Sequence, residues 1–200
     1  NQSQLKNDFM LKTLKSFLLL CIPFIFGSLA LGNEIFNIFA GDSNNPNNVY
    51  IIAILALSAL FNGLILIYNE LLFVDLKTFK MFKIVIITVL INISSNLVLF
   101  NINADILYAS ISSFLAFLIG FLYVRVKVNI KISNKNFIKF ILKITFLSIM
   151  VYLFNTTLIS LLESNFLNIL ILVFFSLIIY FLSLILLKII DLKTIKIILF

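Results

Sequence analysis

Six runs of about twenty mainly apolar residues follow one another along this chain, near 14–32, 49–68, 82–100, 105–124, 141–161 and 166–187. A helix of about twenty residues is as long as the roughly 30 Å hydrocarbon layer of a bilayer is thick. This feature constrains the fold more than any other. The third run, Ile84 to Phe100, is rich in β-branched residues that favour strands in water. In lipid an open strand leaves its backbone donors and acceptors unpaired, so helix is expected there too. The expected fold class is all-α, a polytopic membrane helical bundle of six transmembrane helices.

Composition closes the soluble alternatives. Hydrophobic residues make up 62% of the chain and charged residues 12%, with a mean hydropathy of +1.20. Soluble domains carry about 45–50% apolar and about 25% charged residues. A 200-residue globule has no core large enough for this surplus of Leu, Ile and Phe, so the surplus faces lipid. A soluble enzyme, a disordered chain and a secreted disulfide scaffold are all excluded. With no histidine there is no imidazole base and no imidazole metal ligand. The single Cys21 has no intrachain partner. Metal clusters and glycine-rich phosphate loops are absent from the sequence, and no cofactor is expected.

The basic residues set the sidedness. Lys6, Lys12 and Lys15 precede the first run, and Lys77, Lys80 and Lys83 separate the second from the third. Arg125, Lys127, Lys131, Lys135, Lys139 and Lys143 separate the fourth from the fifth, and Lys188, Lys193 and Lys196 follow the sixth. These are all fifteen. The other three connections hold only Glu34, Asp42, Asp105 and Glu163. Positively charged loops stay in the cytoplasm, so both termini are expected there, in a multi-pass protein of the cell membrane. The net charge of +7 is thus an orientation signal, and no nucleic-acid partner is expected. Lys6, Lys12 and Lys15 followed by an apolar run and Ser28-Leu29-Ala30 also look like a signal peptide. The later runs are equally apolar, so the first is read as a span.

A few polar or conformationally special residues interrupt the spans. Pro23 and Gly27 lie in span one, where two readings stand: a static kink, or a hinge of a moving helix. Asn62 and Asn69 share a face of span two with Ser58, and Asn92, Ser95 and Asn96 share a face of span three. Asparagine in hydrocarbon needs a partner or a wet cavity. These stripes are either interhelical hydrogen-bond glue or the polar wall of a substrate path. Their occurrence on two successive helices favours the cavity. Ser112, Ala116 and Gly120 recur every four residues, a small-residue face for close helix packing. Lys127, Lys131, Lys135, Lys139 and Lys143 also recur every four. On one helix they form a basic stripe suited to anionic lipid headgroups. Alternation of Val126, Val128, Ile130 and Ile132 with polar residues argues instead for an extended break near Ser133 and Asn134. Asn155-Thr156-Thr157 has the form of a glycosylation sequon, but it lies too close to the membrane to be credited.

Several segments together resemble a known family. Gly32-Asn33-Glu34-Ile35-Phe36-Asn37-Ile38-Phe39-Ala40-Gly41 closes a proline-containing helix. Asn69-Glu70-Leu71-Leu72-Phe73-Val74-Asp75-Leu76-Lys77-Thr78 forms a turn with a basic residue and a threonine, and Ile91-Asn92-Ile93-Ser94-Ser95-Asn96-Leu97 is a paired-asparagine helix. In this order, over about residues 14–126, they resemble the C-terminal part of the polysaccharide and oligosaccharidyl-lipid flippases of the MATE-like superfamily. The following segment, Ala104-Asp105-Ile106-Leu107-Tyr108-Ala109, departs from that family's glycine- and alanine-rich pattern, with only Ala109 matching.

The resemblance implies that residues 1–126 are the C-terminal part of a second six-helix lobe, and 127–200 two additional C-terminal spans. It implies a fragment of a transporter, not an enzyme, that flips polyprenyl-diphosphate-linked oligosaccharide by alternating access. Its partners would be membrane lipids, the lipid-linked oligosaccharide and the remaining N-terminal part of the same transporter. A multidrug exporter of the same superfamily is the nearest alternative. A membrane-embedded polysaccharide polymerase, or a purely structural membrane subunit, are alternatives of other classes.

Overall fold

In the computed structural model, the described residues are 2–40, 48–102, 105–128, 135–161 and 166–189. They form six α-helices in chain order: α1 Gln2–Ala40, α2 Asn48–Val74, α3 Thr78–Ile102, α4 Ile106–Lys127, α5 Lys135–Ile159 and α6 Phe166–Leu186. Each is long and apolar enough to cross a membrane. The β-branched stretch of α3 is helical throughout, as the need to satisfy the backbone within the segment requires.

The helices outrun the apolar segments that seed them. α1 has 39 residues, which at about 1.5 Å each exceeds the hydrocarbon thickness by nearly a factor of two. Its N-terminal turns are amphipathic: Met10 and Leu14 are buried while Asp8, Phe9 and Lys12 are exposed. The helix ends carry recognisable chemistry. The carboxylate of Asp105 caps α4 by accepting from the Leu107 amide at 3.2 Å. After α2, the Lys77 amide donates to Leu72 O at 2.8 Å and the Leu76 amide to Phe73 O at 2.9 Å. After α6, Ile189 N–Leu184 O and Lys188 N–Ile185 O are both 3.0 Å. Both are Schellman caps, a motif that places one residue in the left-handed region and usually selects glycine. Here Leu76 (φ 54°) and Lys188 (φ 49°) occupy it instead.

Helix order in space differs from order along the chain. α4 returns to pack between α2 and α3, α2 packs on α1, and α5 packs on the other side of α1. α6 lies against α5 and touches α1. The row therefore runs α3, α4, α2, α1, α5, α6. Two apolar clusters hold it. Met10, Leu14, Leu64, Tyr68, Leu72, Ile84 and Val124 join α1 to α2, α3 and α4. Leu18, Leu19, Ile22, Ile144, Tyr180 and Leu184 join α1 to α5 and α6. Both clusters draw on the basic ends of their helices, so Lys6, Lys77, Arg125, Lys127 and Lys139 gather at one end of the bundle.

Close approach depends on small residues. A methyl group added at Gly120 would collide with Thr88 Oγ1 of α3 and lie 3.0 Å from Ile65 Cδ1 of α2. Ser112 and Ala116 on the same face of α4 are completely buried. The small-residue face is thus the junction of three helices. Gly63 of α2 makes room for the Phe17 ring of α1. An aromatic series, Phe61–Phe114, Phe61–Phe121 and Tyr68–Phe121, fills the α2–α4 seam with centroids 5.6–5.7 Å apart. Edge-to-face and tilted packing at this range is favourable beyond its area. The buried hydroxyls of Ser28, Ser58, Thr88 and Ser148 each donate to a carbonyl of the preceding turn. None therefore needs a second helix to be satisfied.

Candidate functional site

Asn92 of α3 reaches α4, and Asn96 bonds to it from the next turn. Asn96 Nδ2 donates to Asn92 Oδ1 at 2.8 Å, Asn92 Nδ2 donates to Ser113 Oγ at 3.3 Å, and Ser113 donates to Ala109 O at 3.1 Å. This is a polar relay across the α3–α4 seam, one turn beyond the Thr88–Gly120 contact. The four-residue spacing makes it possible, because one asparagine stacks on the next. Asn92, Ser95 and Asn96 are all only half-buried. α3 buries just Ile84 and Thr88 along its length, so this polar face is covered on the α4 side and open on the other.

The α2 stripe is placed differently. Asn69 is buried and its Oδ1 has no hydrogen-bond partner among the described residues. Asn62 is half-buried. Both lie on the face of α2 that carries Ile65, the side chain reaching the three-helix junction. No hydrogen bond among the described residues joins either of them to Asn92 or Asn96. The two stripes lie on helices adjacent in sequence, but α4 is interposed between much of α2 and α3. The two stripes are therefore held apart by α4 over much of their length.

A large groove lies elsewhere, between α1 and α2 at the basic end, with a volume of about 1030 Å³. Phe9, Met10, Leu66, Ile67, Leu71 and Val74 make its walls. Lys6, Thr13, Glu70 and Asp75 supply its polar groups. Lys6 and Lys77 both bind the Asp75 carboxylate, the second at 2.9 Å. The Lys6 ammonium, then that of Lys77, holds the Asp75 carboxyl down at about 2.

Pro23 sits inside an unbroken α1. Proline has no N–H, so the Leu19 carbonyl four residues earlier loses its helical donor. The Tyr180 hydroxyl of α6 donates to that carbonyl at 2.9 Å. Gly27, one turn on, faces open space: an added methyl would meet nothing within 4 Å. Close packing is therefore not the reason for glycine at that position. Gly32 differs, since a methyl there would come within 3.1 Å of the Val49 backbone of α2.

The lysine series is divided between helices. Lys127 ends α4 and Val128 caps it in an extended conformation, while Lys135, Lys139 and Lys143 belong to α5. Lys131 lies outside the described residues. A single continuous basic stripe on one helix is thus not what forms, because α4 ends at the extended Val128 and Lys135 opens a separate helix; Ile130, Ile132, Ser133 and Asn134 also lie outside the described residues. Lys127, Lys135, Lys139 and Lys143 are all exposed, and the Lys127 ammonium lies over the Tyr123 ring at 5.4 Å.

Two features had no clear sequence signal. Asn155 of α5 is buried and accepts a hydrogen bond from Ser176 of α6. This places the sequon asparagine inside a helix interface, unavailable for glycosylation. The Tyr180–Leu19 bond links residues 161 apart, and only the proline hinted that a carbonyl needed a donor. Among the described residues no three His, Cys, Asp or Glu side chains group as a metal site.

These six apolar helices define a multi-pass membrane protein. No family model matches the chain, and neither a curated protein nor a solved structure matches it.

Proposed function

We propose that this chain is a membrane-embedded part of an alternating-access carrier for polyprenyl-diphosphate-linked oligosaccharide in the cell membrane. It acts as a transporter component and not as an enzyme. The ordered likeness of residues 14–126 to polysaccharide-lipid flippases supports this reading. The observation that carries it is the face of α3 with Asn92, Ser95 and Asn96, half-covered by α4 and open on its other side. Asparagine is costly in hydrocarbon. Such a face suits a wet path along which sugar hydroxyls exchange hydrogen bonds with amides. Asn62 and Asn69 would serve the same path from α2 if the bundle opens at the α4 junction.

In this reading both termini are cytoplasmic, because all fifteen basic residues fall on one side of six spans. The described span interiors carry no cation, so cations that hold the diphosphate come from the remaining N-terminal part of the same transporter. Membrane lipids surround α3 and α6 and contact the exposed Lys127, Lys135, Lys139 and Lys143.

The test is glycolipid translocation per folded molecule in proteoliposomes, using the transporter that contains this chain. Asn92→Leu combined with Asn96→Leu is expected to leave the protein folded and to lower turnover by about ten-fold, the loss of one to two hydrogen bonds in the transition state. Unchanged turnover per molecule would reduce these residues to interhelical glue.

A further inference from the structure

The groove between α1 and α2 has a charge arrangement that selects its occupant. Its floor and walls are apolar, with Phe9, Leu66 and Val74 strongly exposed. At its polar end Lys6 and Lys77 are both engaged by Asp75. Glu70, in the last turns of α2 and five residues before Asp75, also lines the groove, and it pairs with no cation among the described residues. Two lysines share the one Asp75 carboxylate and leave one positive charge over, which Glu70 balances to a local charge of zero; the groove thus presents an unpaired carboxylate, Glu70, and an ammonium, Lys6, with donors to spare.

An apolar trough ending in an unpaired carboxylate at the end of a membrane span fits a lipid with a positive head. We propose that this groove holds one phospholipid with a primary ammonium head group. The ammonium sits on the Glu70 carboxylate and an acyl chain lies along Phe9, Leu66 and Val74. Lys6 has three N–H donors and spends one on Asp75, so it retains donors for the lipid phosphate. Thr13 does not compete, because its hydroxyl donates to Phe9 O at 3.1 Å. An anionic head without an ammonium would meet Glu70 with like charge. A trimethylated ammonium carries the charge but has no N–H to donate, which separates it from the primary amine. The volume of about 1030 Å³ is at the upper end of ordinary ligand sites. This site is independent of what the protein transports.

The probe is the full chain reconstituted with equal amounts of phosphatidylethanolamine, phosphatidylcholine and phosphatidylglycerol. Lipids retained after detergent washing are then counted by mass spectrometry. The expected result is about five-fold enrichment of phosphatidylethanolamine over both others, the size of one partly exposed ion pair. Glu70→Gln should bring the three lipids to parity, and Glu70→Asp should keep the preference. Glu70 is exposed, so neither change disturbs packing, and unaltered helicity checks this. Leu66→Trp, which places an indole in the trough, should lower retention of all three. Parity in the unsubstituted protein, enrichment of phosphatidylglycerol, or a preference that survives Glu70→Gln would each overturn the proposal.

Discussion

The hydroxyl of Tyr180 on α6 donates to the carbonyl of Leu19 on α1 at 2.9 Å, and that carbonyl is the one Pro23 deprives of its helical donor. Both groups are buried, so neither has water as a substitute. A defect made by sequence in one helix is repaired by a side chain from another, and α6 is fastened to α1 by it. Tyr180→Phe keeps the ring and orphans the carbonyl. The expected cost is about 1–2 kcal/mol. Pro23→Ala restores an N–H at the right place, so in the Tyr180→Phe background it should recover most of that loss. A double-mutant cycle read by reversible unfolding in micelles measures this. Additive effects of the two changes would mean that the bond and the proline are unrelated.

Gly27 of α1 and Gly120 of α4 should respond in opposite directions to alanine. At Gly120 a methyl group meets Thr88 Oγ1, whose hydroxyl is tied to Ile84 O at 2.9 Å, and Ile65 at 3.0 Å. Gly120→Ala is expected to destabilise the bundle by about 1–3 kcal/mol through overpacking. Gly27 meets nothing, so Gly27→Ala should gain up to about 1 kcal/mol from helix propensity. Unfolding midpoints of the two variants decide it. If α1 bends at this position in the proposed transport cycle, Gly27→Ala will also slow turnover while raising stability.

Asp75 carries a pH signature. Its carboxyl is lowered from 3.8 to about 2, first by its hydrogen bond from Lys6 and then by that from Lys77. A carboxyl lowered in the folded state contributes stability above its unfolded value and loses it as pH falls through the folded one. The tie between the start of α1 and the α2–α3 turn should therefore weaken as pH drops from 3.8 toward about 2. The pair is exposed, which keeps the effect small and salt-sensitive. Asp75→Asn should flatten the unfolding midpoint across this window relative to the unsubstituted protein. An equally steep fall in Asp75→Asn would assign the acid response to other carboxyls.

Sidedness is tested by labelling. With Cys21 replaced by serine, single cysteines at Lys77 and at Ser160 report on opposite ends of the spans; both positions are exposed. Lys77→Cys should react with an impermeant maleimide only after the cell is opened, and Ser160→Cys in intact cells. The reverse pattern, or both reacting from one side, would remove the cytoplasmic placement of the termini.

The sequence alone determined the number, type and approximate limits of the helices. An apolar run of bilayer length can satisfy its backbone in lipid only as a helix, and the fifteen cations mark every second connection. The stacking of Asn92 under Asn96 and the close-packing face of Ser112, Ala116 and Gly120 were also legible, because both follow from helical spacing. Which helices touch was decided only in the tertiary structure. In lipid the inner and outer faces of a helix are nearly equally apolar, so hydropathy does not say which side packs. That α4 inserts between α2 and α3, separating the two asparagine stripes, follows from the fit of Gly120 to Thr88 and Ile65 and of Phe121 to Phe61 and Tyr68. The same reason hid Asn155–Ser176 and Tyr180–Leu19, since a hydrogen bond between distant turns depends on shape in three dimensions and leaves no period along the chain.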